Sequence, residues 1–249
     1  AGMKQGDVVL IWGASGGLEY EAAWAVGAAL AAMAVALGAS PAIAGSPDGQ
    51  LQIKVLGTMV DPDGSIDEVI LNPGLPAGTD TAGDTNYVPT LAIEYFVTPN
   101  VSLETICCMT QHDVDAVSPA ALAGGQLVSN ANIVPATLTL KYHLGEPGGF
   151  QPYIGAGPTY FIFIDEQPGA AARTVLGATR QRMNDHFGFA LQAGFDMPIN
   201  DQGVGLTVDV KRYFLSTTAH WFNATGTEIL TTRHNIDPWV ISAGIAYRF

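Results

Sequence analysis

The chain has 249 residues, with 10 Lys and Arg against 23 Asp and Glu, for a net charge of −13. That balance excludes a nucleic-acid binder, which needs a basic patch to neutralise phosphates. Only 13% of residues are charged and 48% are hydrophobic, where a soluble domain carries about 25% charged residues; the deficit points to an outer surface that faces lipid.

Residues Lys4 to Leu18 read as a strand running into a Gly-rich turn, Trp-Gly-Ala-Ser-Gly-Gly. Residues 1–18 resemble the opening of the nucleotide-binding domain of medium-chain reductases, where backbone N–H groups and a helix N-terminus hold a pyrophosphate. Glu19 stands where that family continues with Gly. No second strand with a ribose-binding acid follows about twenty residues on. Residues 1–21 are therefore read as an upstream extension and not as a cofactor site. Residues 22–44 carry no charge and end in Ala42-Ile43-Ala44, the form of a signal-peptidase site. The expectation is a cleavable signal peptide over 22–44, with Ala42 and Ala44 forming the cleavage motif, and a barrel over 45–249.

Past Gly45, eight segments have strand character: 51–60, 88–97, 101–110, 132–144, 151–164, 186–197, 203–215 and 238–249. Lengths of about ten residues suit tilted strands that cross a bilayer. Short turns (98–100, 145–150, 198–202) alternate with long connections (61–87, 111–131, 165–185, 216–237). Antiparallel hairpins with that asymmetry predict an all-β, eight-stranded antiparallel transmembrane β-barrel. The even strand count places both termini on the short-turn, periplasmic side. Cys107 and Cys108 are adjacent, which does not suit a disulfide, and read as small apolar fillers.

The last strand is the clearest. Trp239, Ile241, Ala243, Ile245, Tyr247 and Phe249 fall on one face, and Val240, Ser242, Gly244, Ala246 and Arg248 on the other. Aromatics at both ends of an aliphatic stripe match the two headgroup levels of a bilayer. The ending, with Tyr247 and a terminal Phe249, resembles the signal that the barrel-insertion machinery of bacterial outer membranes reads.

The same period of two assigns inward positions elsewhere. Lys54, Glu94, Glu104, Lys141, Asp196, Asp209, Lys211 and Arg248 point inward and carry both signs of charge. In an eight-stranded barrel, whose interior side chains can fill, they are expected to form a salt-bridged plug, a polar stopper of the periplasmic half. Leu56, Phe96, Ile106, Phe161 and Tyr213 are the inward apolar candidates for lining a channel. Gln111-His112-Asp113 with Ser118 offers a His/Asp/Ser set for catalysis at the outer rim, although loop polar residues are ordinary. His220 and His234 read as solvated loop histidines and not as a metal pair. The first long connection holds Asp61, Asp63, Asp67, Glu68, Asp80 and Asp84 without Lys or Arg and reads as a solvated, mobile surface. Arg173, Arg180 and Arg182 on the third are candidates for lipid phosphates. Neither a cofactor nor a metal is expected.

Blocks along the mature chain carry a family resemblance. They are Val60-Asp-Pro-Asp-Gly64, Val88 to Phe96, Thr98 to Thr105, Gln111-His-Asp113, Pro135 to His143, Pro152-Tyr-Ile-Gly-Ala-Gly-Pro158, Ala190 to Asp196 and Asp237-Pro-Trp through Tyr-Arg-Phe249. In this order and spacing, from about Leu51 to Phe249, the chain resembles the OmpW family of small outer-membrane proteins. One departure is that many members carry a Trp near the start of strand one, where this chain has Leu51 and Ile53. The resemblance implies a narrow apolar lumen that admits small hydrophobic molecules from outside. It also implies a polar lower interior that blocks the periplasm, and sideways exit between strands into the membrane. Outer-membrane lipid and lipopolysaccharide, small hydrophobic ligands and the insertion machinery are the expected partners. The competing readings are a closed structural or host-interaction barrel with acidic external loops, and a barrel enzyme acting on lipid.

Overall fold

The computed structural model describes residues 45–249 other than Pro73 and Ala121. The expected upstream extension (1–21) and signal peptide (22–44), with Ala42 and Ala44, lie outside the described residues. In chain order the elements are β1 (Leu51–Asp61), β2 (Ser65–Leu71), β3 (Asp80–Gly83), β4 (Asn86–Thr98) and β5 (Val101–Cys107). There follow β6 (Thr110–Ser118), β7 (Gln126–His143), β8 (Gln151–Ile164), β9 (Gln167–Pro168) and helix α1 (Ala170–Val175). The chain continues with β10 (Arg180–Met183), β11 (His186–Pro198), β12 (Val204–Phe214), β13 (Ser216–Phe222), β14 (Glu228–Asn235) and β15 (Trp239–Arg248).

Eight of these strands close a ring, β1-β4-β5-β7-β8-β11-β12-β15, each antiparallel to its neighbours. Pairing of β1 with β15, from Gln52↔Arg248 to Asp61↔Trp239, shuts it. Closure gives every strand of the ring a partner on both sides, which is the condition for strands to span a bilayer. The alternation read in the sequence holds: along β15, Trp239, Ile241, Ala243, Ile245 and Tyr247 are exposed, while Val240, Ser242, Ala246 and Arg248 are buried. Aliphatic residues on the outer face, Val55, Leu140, Ile154 and Ile245 among them, are exposed. Aromatics mark its two rims, with Phe187, Phe214 and Trp239 at the long-connection end and Tyr142, Phe150 and Tyr247 at the short-turn end. An outside this apolar is unfavourable in water and natural in lipid.

The long connections differ from the sequence expectation. They are structured: β13, β14 and β2 continue barrel strands upward, and with β10 they form a separate four-stranded sheet, β10-β13-β14-β2. The bend has a local cause. Pro62 and Pro238 cannot donate to a ladder, and Gly64 and Asp237 take positive φ of 73° and 26°. The breaks share one level, where Asp63 N donates to Ile236 O (2.9 Å), Ile236 N to Leu215 O (3.1 Å) and Leu215 N to Asp237 Oδ1 (2.7 Å). Opposite this sheet, β3, β6, upper β7 and β9 extend the barrel wall. The two walls and α1 enclose a core of Leu127, Val128, Ala172, Met183, Trp221 and Leu230, so the barrel carries a folded cap. No helix among the described residues is long and apolar enough to cross a membrane.

His234 is not the solvated loop histidine that the sequence suggested. It is buried in the cap (4% exposed), stacked near Trp221, and its Nδ1–H donates to Gly64 O (3.2 Å). The Thr232 hydroxyl donates to Nε2 (2.6 Å). Burial lowers its pKa from the ordinary 6.5, and the Gly64 carbonyl and Asp80 only partly oppose that. The unfolded chain therefore takes up a proton that the folded cap refuses, so this group's contribution is present above 6.5 and is lost as pH falls below it. Between about pH 7 and about pH 5, hydrogen exchange of β13 and β14 amides is expected to accelerate beyond its intrinsic pH dependence. The extra acceleration is expected to be absent in His234→Gln.

Candidate functional site

Strand pairing dictates the centre of the barrel. In the β4–β5 register Glu94 lies directly opposite Glu104, both pointing inward. Like charges so placed repel, and neither carboxylate reaches water. Two lysines from other strands resolve the conflict. Lys54 (β1) sits 2.7 Å from Glu94 and 3.1 Å from Glu104. Lys141 (β7) sits 2.9 Å and 3.0 Å from the same pair. Lys211 (β12) reaches Glu104 Oε1 at 3.0 Å and Asp209 at 2.6 Å, and Lys54 also holds Asp196 (β11) at 3.2 Å. Four of these contacts, Lys54 to Glu104 and to Asp196, Lys141 to Glu94 and Lys211 to Glu104, join strands that are not neighbours and run as chords across the lumen.

Neutral groups fill the remaining valences. Gln192 donates to Glu104 (2.8 Å) and Asp209 (2.6 Å), and Tyr153 to Asp209 (2.9 Å). His143 Nε2–H and the Ser102 hydroxyl both donate to Glu94 Oε1 (2.8 and 2.5 Å). The Lys141 ammonium lies 3.6 Å above the Tyr153 ring. Ligand atoms of Glu94, His143 and Asp196 lie within 4.8 Å of one another, a spacing a metal could use. The Lys54 and Lys141 ammoniums already stand on those carboxylates, and a divalent cation would have to displace them.

Of the eight charged residues expected inward, the structure brings seven into one contact network. Arg248 stands below it, stacked 3.5 Å from the Phe96 ring and donating to Gly49 O (2.6 Å). His143, Gln192, Tyr153 and Ser102 complete the network. Strand alternation puts His143 and Gln192 on the inward face, but nothing in the sequence marks them as partners.

Above the network the interior turns apolar. Ile106, Phe161 and Tyr213, with Val60, Ile133 and Val240, line a chamber. Tyr213 marks the boundary: its ring packs edge-on against Phe161 (5.3 Å between centroids), and Lys211, two residues along β12, belongs to the charged network. Leu56 joins Ala92 and Ile106 in a small adjoining cluster. Phe96 is not part of this chamber. It is inward as expected, but it lies at the short-turn end against Arg248 and His143, because alternation fixes a side chain's face and not its height. The chamber is tight, with a free volume of about 20 Å³ on the scale where one water takes about 10–15 Å³.

One wall of the chamber is weakly sewn. The β4–β5 register ends at Leu91↔Cys107, Cys108 and Met109 stand outside any strand, and among the described residues β4 has no ladder with β6. Pro89 lies in the unsewn stretch and has no N–H to offer. Above it, Asn86 Nδ2 donates to Gln111 O (2.6 Å) and His112 Nδ1–H to Asp84 O (2.7 Å).

The His/Asp/Ser candidates do not form a relay. His112 Nε2 meets the Thr110 hydroxyl (2.8 Å), Asp113 accepts from Gln126 (2.9 Å) and Asn130 N (2.9 Å), and Ser118 donates to Gly78 O (2.6 Å). The acidic first connection is tied down and not free: Asp80 accepts Ile66 N, Asp84 accepts Asp113 N, and Glu68 pairs with Arg233 (3.1 Å). Arg173 is used within its own turn, on Pro168 O. Arg180 is exposed and stacks on Phe222, and Arg182 pairs in register with His220.

A closed eight-stranded barrel with a lipid-facing exterior, a charged waist and a capped apolar chamber defines an outer-membrane protein of the small-barrel class. The model of the OmpW family matches residues 47–249, and the chain belongs to that family. It is 34% identical over 236 residues to an uncharacterized outer-membrane protein of Sinorhizobium fredii, covering 94% of this chain and 93% of that one. It is 28% identical over 225 residues to outer membrane protein W of Vibrio cholerae, covering 88% and 96%. Among solved structures, outer membrane protein OprG of Pseudomonas aeruginosa superposes with a TM-score of 0.69 at 28% identity, covering 83% of this chain and 99% of that one. AlkL, solved in lipid bilayers, superposes with 0.64 at 21%, covering 84% and 94%, a likeness of fold. The protein is an outer-membrane β-barrel.

Removing one partner from a buried ion network leaves an uncompensated charge, at a cost of about 3–5 kcal/mol. Glu104 meets three ammoniums and Asp196 one. Glu104→Gln is therefore expected to destabilise the barrel in urea by more than Asp196→Asn, and equal losses would remove Glu104 as the hub.

Proposed function

We propose that the protein is a passive entry path for small hydrophobic molecules, which enter the capped chamber from outside and leave sideways into the membrane. The observation that carries this reading is the apolar chamber standing directly on a charged floor. A hydrocarbon gains about 0.8 kcal/mol for each CH₂ it buries. Parting the floor would strip several buried charges of their partners, at about 3–5 kcal/mol for each. Opening the unsewn seam between β4 and β6 costs a few hydrogen bonds, each worth about 0.5–1.5 kcal/mol. The cheaper exit is lateral. On this reading Ile106, Phe161 and Tyr213 line the path, Leu56 lies beside it, and the eight inward charges keep the lumen shut, with both termini periplasmic. The tightness of the chamber means that its wall must part for a ligand to enter, and the same tightness favours the closed structural barrel as the second reading. Tyr247 and Phe249 serve the insertion machinery, and Arg180 is the cation best placed for a lipopolysaccharide phosphate.

The test is liposome uptake of a small apolar dye by the purified protein, with ion conductance recorded in parallel. Uptake above protein-free liposomes without ion conductance is expected. Val60→Trp with Ile133→Trp, which fill the chamber, are expected to reduce it by about tenfold, the effect of roughly 1.4 kcal/mol in the barrier. Uptake that is absent in the unaltered protein would favour the closed barrel.

A further inference from the structure

A second cavity lies at the other end of the lumen, beneath the charged waist. Its free volume is about 30 Å³, and its wall includes Gln52, Gln151, Asp196 and Arg248, with Gly203 and Gly205 from the β11–β12 hairpin. These polar side chains are all more than nine-tenths buried. Strand pairing assembles them, because Gln52 lies opposite Arg248 in the β1–β15 register and Gln151 opposite Asp196 in the β8–β11 register.

The donors here outnumber their acceptors. Gln52 Nε2 and Gln151 Nε2 are buried without a hydrogen-bond partner. A guanidinium has five N–H groups, and Arg248 spends two of them, on Gly49 O (2.6 Å) and Gln151 Oε1 (3.4 Å). Among the described residues, Lys54, Lys141 and Lys211 each hold carboxylates within 4 Å, while Arg248 makes no ion pair. The one carboxylate in the wall, Asp196, pairs with Lys54 at 3.2 Å, and among the described residues its Oδ1 is the one buried acceptor there without a hydrogen bond. Buried donors are otherwise almost always satisfied, and an arginine with free N–H groups matches the two oxygens of a carboxylate better than a spherical ion.

We propose that this vestibule binds a small carboxylate, held by Arg248 with the amides of Gln52 and Gln151. The four cations and four carboxylates of the lumen already balance, so a bound carboxylate adds one negative charge and its affinity is modest, on the order of millimolar. The site is independent of uptake through the upper chamber.

The test uses the full protein, isotope-labelled and placed in lipid nanodiscs, with the side-chain amide signals of Gln52 and Gln151 followed by NMR. Acetate is the probe, and acetamide and chloride are the comparisons. A saturable shift of both amides with acetate, at lower concentration than with acetamide or chloride, is expected. Arg248→Gln is expected to weaken acetate binding by about tenfold, the loss of one charge-assisted contact. If Arg248→Gln does not fold, the Gln52→Leu, Gln151→Leu double variant reads the same site through the Arg248 side-chain signals. No saturable shift with acetate, or acetamide binding as well as acetate, would overturn the proposal.

Discussion

Two glutamates that strand pairing forces side by side set the terms for the whole interior. Glu94 and Glu104 face each other across β4 and β5 without access to water, a placement that is tolerable only if cations reach both. Lys54 and Lys141 do so from β1 and β7, and Lys211 arrives from the far wall. Each lysine also reaches a glutamate on a strand that is not its neighbour, Lys54 and Lys211 on Glu104 and Lys141 on Glu94, so meeting the electrostatic need also ties the barrel across its lumen. The knot that stabilises the waist thus also divides the interior into an apolar chamber above and a polar vestibule below.

That division decides what each half can do. The upper half offers a passing molecule dispersion contacts and release from water, which scale with its apolar area. It offers almost nothing to an ion. The floor presents fixed, mutually satisfied charges, and a hydrocarbon brings nothing that could replace their pairings. The wall is therefore the weaker boundary. Among the described residues, the β4–β5 ladder ends at Leu91 and Cys107 and β4 has no ladder with β6, beside Pro89 and level with the chamber. The cap closes the other end: its walls and buried core cover the long-connection mouth of the barrel.

Much of this was legible in the sequence. Alternation in β15 and in β11 separates lipid-facing from inward residues because each strand touches two different solvents, and the inward charges stand out against a chain poor in charge. Height was not legible. Phe96 and Ile106 both read as inward apolar residues, yet one packs on Arg248 beneath the waist and the other lines the chamber above it. The cap was missed for a physical reason. Its buried positions mix apolar and polar residues, Thr217, Ala219 and Trp221 on β13 and Leu230, Thr232 and His234 on β14, so the apolar stripe of each strand is short and diluted, and Pro62 and Pro238 read as loop punctuation when they are bends in continuing strands. His234 looked solvated because its partners, Gly64 and Thr81, lie far away in the chain.

The central claim is that an apolar molecule is held above the charged waist and does not pass through it. Solute-to-protein nuclear Overhauser contacts from a small alkane, measured in lipid nanodiscs, test this most directly. Contacts to the side chains of Ile106, Ile133, Phe161 and Val240 are expected, and none to Phe96, which packs on Arg248 beneath the waist. Contacts to Phe96, or contacts confined to the lipid-facing side chains, would contradict it.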